Sequence, residues 1–417
     1  MIALPYRYRL CDGYLASLLD EFPAVMINGA RAIGKTTTAA QHVGHIVRLD
    51  EPGVAATYRA DPDAALRRAD RPVLLDEWQE VPQVLAAVKR VVDRDATPGQ
   101  FILTGSVRAE LTNETWAGTG RTVRMNMFSL TERELTTHMD TGQPTFLQRL
   151  AASGIDDLNL PPEMPDINDY ITAAVRGGFP EVAYRDRSES SRSIWLTSYL
   201  DDLITRDAAM LDSTKDPAKL RHYLGVLALN NAGMPADATL YRAAGINART
   251  AAAYDQLLRN LYVLDIVPAW ANGRLNRLVK TGKRYMVDSG LAAAAANLTT
   301  EIILDDSDLV GRFFDAFATA QIRPEAGLVH PRPALHHLRT AAGRQEIDLV
   351  IELGATRVVG IEFKAGSAPT ADDAKHLSWL RDELGQGFTA GAVLHSGPGI
   401  YPLGDRIYAI PLCALWG

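Results

Sequence analysis

One short stretch limits the fold of this chain more than any other: Gly29-Ala30-Arg31-Ala32-Ile33-Gly34-Lys35-Thr36, behind the apolar run Ala24-Val25-Met26-Ile27 and ahead of a helix-like segment. Two glycines with four residues between them, then Lys-Thr, make the G-x-x-x-x-G-K-[ST] spacing, in which backbone N–H groups close around phosphate oxygens. The helix that follows points its free N–H groups at the bound anion. Gly29, Ala30, Arg31, Ala32, Ile33, Gly34, Lys35, Thr36 and Thr37 are therefore candidate nucleotide contacts. Lys35 is placed for the β- and γ-phosphates, and Thr36 for a Mg2+ ion.

A second apolar run, Val73-Leu74-Leu75, ends in Asp76-Glu77. It reads as a buried parallel strand that delivers carboxylates to its C-terminal end, where open α/β sheets bind nucleotides. Asp76 is then a Mg2+ holder, and Glu77 the group that orients and deprotonates an attacking water. A helix over 83–92 leads to a third strand over 100–106, ending in hydroxyls. Thr104 or Ser106 either senses the γ-phosphate or caps a turn. Arg121, after Gly118-Thr119-Gly120, is either an arginine finger, acting in cis or from a neighbouring subunit, or a solvated arginine. Helical spacing over 12–22 and a short strand at 45–50 complete this half.

At 417 residues the chain exceeds what one core serves, and 47% hydrophobic against 22% charged residues is the balance of a globular protein. Cys11 and Cys413, far apart, exclude a disulfide scaffold or zinc ribbon as the organising feature. No run approaches the about 20 apolar residues of a membrane span, so a cytoplasmic protein with no membrane partner is expected. A net charge of -7 gives no global attraction to nucleic acid, and any such binding has to come from a local basic face.

GARAIGKTT, LLDEWQEVP, FILTGS, Gly120-Arg121 and Arg176-Gly177-Gly178-Phe179-Pro180-Glu181 occur in that order. The series resembles a prokaryotic AAA-like, archaeal-ATPase-like P-loop ATPase family over nearly the whole chain. The resemblance implies ATP and Mg2+ as cofactors and a C-terminal PD-(D/E)XK nuclease-like domain. Ala32 stands where glutamine is common, and Trp78 where an aliphatic is usual. Neither change removes a group the chemistry needs.

The expected architecture is α/β: a P-loop core over 1–138, a helical lid over 139–215, a winged helix over 216–300 and the nuclease-like domain over 301–417. Helices over 147–153, 167–175 and 191–210 make up the lid. Its Arg206 either approaches the phosphates or pairs with Asp202 or Asp207. Helices over 220–230, 238–244 and 248–260 with Gly245-Ile246-Asn247 between the last two have helix-turn-helix spacing, and 262–267 followed by Asn272-Gly273 reads as a hairpin. Arg274, Arg277, Lys280, Lys283 and Arg284, with Arg242, Arg249 and Arg259, form a basic face that either meets DNA phosphates or belongs to a protein-packing module.

After an amphipathic helix over 309–322 carrying Asp315, the segments 343–352 and 357–364 look like a hairpin bringing Asp348 beside Glu362 and Lys364. A helix over 372–384 and a strand over 390–394 follow. Asp315, Asp348 and Glu362 are candidate ligands of Mg2+ or Mn2+, with Lys364 the catalytic lysine of a nuclease-like site. Asp315 replaces the glutamate more usual in that family. Two functions fit: an ATP-hydrolysing enzyme acting with DNA, as a homo-oligomer if the arginine finger works in trans, or a nucleotide-switched, antitoxin-like binding protein that does not cut.

Overall fold

The computed structural model describes residues 6–106, 120–136, 143–152, 158–208, 216–270, 281–340 and 343–417. They gather into two compact units: residues up to Leu130 with Leu257–Val263, and Thr131–Gln256 with Leu264–Gly417.

In the first unit, strands β1 (Ala24–Asn28), β2 (His45–Arg48), β3 (Val73–Asp76), β4 (Phe101–Gly105) and β5 (Val123–Asn126) form a parallel sheet in the order β2-β3-β4-β1-β5. A strand covered on both faces has no solvent side to alternate toward, and β1, β3 and β4 are buried at every residue. Ala24 and Met26, Val73 and Leu75, Phe101 and Leu103 pack in one core with the helices Pro52–Ala60, Pro62–Arg68 and Gln83–Arg94. The residues between them point to the other face by the two-residue period of a strand. Burial of each large side chain contributes about 1.5–3 kcal/mol. Because the strands run one way, the loop after β1 and the acids after β3 leave from the same edge.

In the second unit, helices Pro217–Leu229 and Asp237–Ala243 and the part of the helix Ala248–Asn260 up to Gln256 precede in sequence an antiparallel pair, β6 (Leu264–Val267) and β7 (Lys283–Met286). Asn247 Oδ1 accepts the N–H of Thr250 at 2.9 Å, and Gly245 takes the left-handed φ of +63° that the turn needs. The expected hairpin turn at Asn272-Gly273 and the cations Arg274, Arg277 and Lys280 lie outside the described residues. Strands β8 (Ala334–Arg339), β9 (Glu346–Leu353), β10 (Arg357–Lys364), β11 (Phe388–His395), β12 (Tyr401–Gly404) and β13 (Ile407–Pro411) form a mixed sheet ordered β12-β13-β11-β10-β9-β8. The β9–β10 hairpin is where the sequence puts it, and the helix Lys375–Leu384 connects β10 to its parallel neighbour β11.

The Arg176–Glu181 segment owes its first glycine, Gly177, to close packing. Gly177, at φ +69°, ends the helix Ile167–Arg176, and a Cβ on Gly290 would lie 2.8 Å from the N and Cα of Gly177. Asp288 stitches the two segments together, accepting the Gly178 N–H at 2.8 Å on one oxygen and the Leu291 N–H at 3.0 Å on the other. Gly290→Ala should therefore cost about 1–3 kcal/mol by overpacking. Thermal unfolding checks it: the midpoint should drop by about 2–4 °C per kcal/mol, whereas Gly366→Ala, whose Cβ would meet nothing within 4 Å, should leave it in place.

Candidate nucleotide site and C-terminal carboxylate cluster

The loop after β1 turns through positive φ at Gly29 (+154°), Ala32 (+61°) and Gly34 (+99°), after which the short helix Lys35–Ala39 begins. Glycine is required at position 29, where a Cβ would come within 2.4 Å of the Met127 carbonyl oxygen. Lys35 is buried, and its Nζ donates to the carbonyl oxygens of Gly29 (3.0 Å) and Ala30 (2.7 Å), so the ammonium waits inside the loop. Burial pulls the Lys35 pKa from 10.5 down to about 8, against the opposing charges of Glu77 and Asp76.

Asp76, at the end of β3, is the hub. One of its oxygens, Oδ1, accepts the Thr36 hydroxyl at 2.7 Å and the Thr104 hydroxyl at 2.5 Å, joining the loop to β3 and β4. A hydroxyl and a carboxylate are hard oxygen donors that suit Mg2+, so the residues present fit that ion. Glu77 has left-handed backbone (φ +55°) and bonds the Gln79 side-chain amide. Ser106 stands at the edge of this group, its Oγ 3.4 Å from Gln79 Nε2 and 3.5 Å from Glu77 Oε2. Thr104 rather than Ser106 touches the acid at the centre. Arg31 and Thr37 are exposed on the loop and its helix, while Ala30 and Ile33 are buried and anchor it.

Arg121 requires a correction. It precedes β5, whose register pairs Val25 with Val123 and Asn28 with Asn126, so it sits at the N-terminal edge of the sheet while the loop leaves the C-terminal edge. At about 3.3 Å per residue, β1 separates those edges by about 17 Å. Its Nε is spent on Asp93 Oδ1 at 2.5 Å. Strand polarity thus removes the in-cis arginine finger. Arg9, in contrast, gave no sequence signal: its buried guanidinium donates to the carbonyls of Ile33 (3.0 Å) and Phe128 (2.9 Å), bracing the loop from behind. A side chain bonding to distant carbonyls leaves no local pattern.

In the second unit, Asp315 on the helix Ser307–Ala326, Asp348 on β9 and Glu362 on β10 lie near one another, and the lysine bonded between the two aspartates is Lys283 rather than Lys364. Lys283 of β7, 4% exposed, places its Nζ 2.5 Å from Asp315 Oδ2 and 2.8 Å from Asp348 Oδ1. Glu362 hydrogen-bonds Asp348 and faces His376 Nδ1 at 3.6 Å. Lys364 makes no ion pair with the three acids among the described residues, and no trio of His, Cys, Asp or Glu among them is arranged to hold a metal ion. The expected metal trio of Asp315, Asp348 and Glu362 is corrected accordingly, while the charge of Lys364 still acts on Glu362. Burial raises Asp315 to about 6 despite Lys283; at Asp348 burial is outweighed by Lys283 and its hydrogen bonds, and the carboxyl falls to about 2. Burial, then the Asp348 charge, pushes Glu362 well above the usual carboxylate range, and the two carboxyls share a hydrogen bond.

Two cations of the expected basic face are also committed elsewhere. Lys283 is enclosed by the acids, and Arg284 pairs with Asp237 (2.8 Å) and Asp255 (3.0 Å). Arg242 and Arg249 are exposed on the helices around Gly245.

With this geometry in view, comparison with known proteins divides the chain into three. Residues 21–136 match the family model of an AAA domain. Residues 167–302 and 310–415 match models described as Domain of unknown function (DUF8612) and Domain of unknown function (DUF4143). The AAA match coincides with the parallel sheet and its loop, and with the DUF4143 match it supports the likeness to archaeal-ATPase-like P-loop proteins. The uncharacterized proteins Rv2008c of Mycobacterium tuberculosis and Mb2031c of Mycobacterium bovis are each 27% identical over 405 residues, spanning 95% of this chain and 82% of theirs. Among solved structures, the Walker-type ATPase PABY2304 of Pyrococcus abyssi matches at 13% identity and a TM-score of 0.38, over 68% of this chain and 94% of its own. The ORC1 protein of Aeropyrum pernix in complex with DNA matches at 14% and 0.28, over 70% and 93%.

The Lys35 environment sets a pH dependence. The free ammonium loses its proton above about 8, while phosphate oxygens in contact hold it on, so binding above that pH requires proton uptake. ATP affinity should be level below pH 8 and fall by about tenfold per pH unit beyond it. Calorimetry at pH 9 in two buffers of different ionisation heat should register the proton taken up. Constant affinity up to pH 10 would contradict the assignment.

Proposed function

We propose that this chain binds and hydrolyses ATP with Mg2+, and that the nucleotide state governs a binding role of its second unit without cleavage of nucleic acid. The observation that carries the reading is the single oxygen of Asp76 shared by Thr36 of the loop and Thr104 of β4, beside the enclosed Lys35. The AAA match of residues 21–136 supports it.

In this reading Lys35 exchanges two neutral carbonyl oxygens for β- and γ-phosphate oxygens, and the loop N–H groups close on the phosphates. Thr36 and Asp76 would hold Mg2+, which supplies charge neutralisation at the phosphates. Glu77 releases Gln79, orients the attacking water and takes its proton. Ser106 lies within reach of Glu77 and helps fix it. Arg121 keeps only the role of a finger offered to a second copy of the chain.

A second reading, DNA contact, is favoured by the helix–turn–helix order followed by a strand pair, with Arg242 and Arg249 exposed at the turn. Such a face adds affinity that falls with salt. Replacing both arginines by glutamate should weaken duplex binding and flatten its salt slope while leaving basal ATPase unchanged; identical salt titrations would assign the module to protein packing.

The ATPase reading is tested by two variants. Lys35→Ala should lose nucleotide binding. Glu77→Gln should bind ATP yet turn it over about 10²–10⁴-fold more slowly, the contribution of a positioned general base. Turnover of Glu77→Gln at the wild-type rate would overturn the role of Glu77.

A further inference from the structure

A nuclease-like reading of the C-terminal sheet asks for a divalent cation among Asp315, Asp348 and Glu362. Such an ion needs carboxylate oxygens it can approach to about 2.0–2.6 Å. Here each oxygen of the two aspartates already receives a donor. Asp315 Oδ1 accepts the Tyr285 hydroxyl at 2.9 Å and the Thr319 hydroxyl at 3.2 Å, and its Oδ2 accepts Lys283 Nζ. Asp348 Oδ1 accepts Lys283 Nζ, and its Oδ2 accepts the Phe363 N–H at 3.0 Å. The remaining acid, Glu362, leans on Asp348 as a donor. The space between the carboxylates is taken by an ammonium whose charge repels a second cation.

The lysine is built in. Lys283 and Tyr285 are two apart on β7, so they face the same side, and both reach Asp315. Arg284, between them, faces the other way and pairs with Asp237 and Asp255. The Lys283 ammonium also lies 5.7 Å from the centre of the Tyr285 ring, and the Arg323 guanidinium lies 4.8 Å from it, so two cations pack on the tyrosine. The residues present therefore do not fit a divalent metal.

We propose that Lys283 is the resident cation of this cluster: a side chain from β7 takes the place between Asp315 and Asp348 that a metal ion would need, and the C-terminal sheet is metal-free and non-cleaving. The inference is independent of whether the first unit hydrolyses ATP.

Manganese binding tests it, read by the loss of the free Mn2+ electron paramagnetic resonance signal. The full chain is used with Asp76→Asn, so that the nucleotide site does not contribute. With Lys283 in place, no Mn2+ should be bound. Adding Lys283→Ala, or the milder Lys283→Gln, vacates the position. Removing a like charge within about 4–6 Å of the site should tighten Mn2+ binding by about 10–1000-fold, by the same electrostatics that moves a pKa by one to three units. Asp348→Asn on top of Lys283→Ala should abolish the gain, and Mn2+ should raise the melting temperature of the Lys283→Ala chain alone. Two results overturn the proposal: Mn2+ bound to the chain that keeps Lys283 and lost with Asp315→Asn, or a folded Lys283→Ala chain that gains no Mn2+. Should both Lys283 variants fail to fold, the chain that keeps Lys283, with and without Asp315→Asn, decides the question by itself.

Discussion

An ammonium group removed from water has to be met by oxygen, and this protein solves that problem in two ways. Lys35 donates its hydrogen bonds to neutral carbonyls of its own loop, and burial loosens its proton although Asp76 and Glu77, neither of them bonded to it, act through space to hold it. Lys283 is met by two carboxylates, which overcome burial and hold its proton firmly. A lysine with neutral hosts has an unmet demand for an anion and is poised for a ligand. A lysine with anionic hosts is finished. The chemistry of each unit follows from that difference, and the residue type alone does not announce it.

The anionic arrangement is costly to disturb. Removing one partner of a buried pair leaves the other charged and uncompensated, at about 3–5 kcal/mol, whereas the assembled pair contributes little net stability over apolar residues of the same size. Lys283, Asp315 and Asp348 are thus better understood as fixing which of several arrangements the second unit adopts than as a source of its stability. Glu325 is enclosed in a different way: it spends an oxygen on the Leu147 N–H at the start of the helix Phe146–Ala151, and burial pushes its carboxyl up to about 7.

What the sequence revealed and what it hid divide along the range of the interactions. The loop, the strand ending in Asp76 and the β9–β10 hairpin were legible because each is written in consecutive residues: a glycine spacing, an unbroken apolar run, an alternation. Strands β8 and β12 were not, since His336 and His337 interrupt the one and Pro402 with glycine the other, and both lie at sheet edges where burial leaves a weaker pattern. Arg121 looked like a candidate because sequence carries no information about which edge of a sheet a residue occupies until the neighbouring strand's direction is known. Lys283 was read as one of a run of surface cations, although the two-residue period of a strand had already separated it from Arg284. Its acids lie 32 and 65 positions away, beyond any local rule.

The ion-pair cluster also says where this chain can be divided. Lys283 falls in the segment matched by DUF8612, at 167–302, and Asp315 and Asp348 in that matched by DUF4143, at 310–415. A cut placed between the two matches passes through the middle of one charge balance, leaving a sheet with an acidic hole and a strand with a stranded cation. Parted from β7, the C-terminal sheet keeps Asp315 and Asp348 without the cation that balances them, so the unit that is complete in charge is larger than either matched segment.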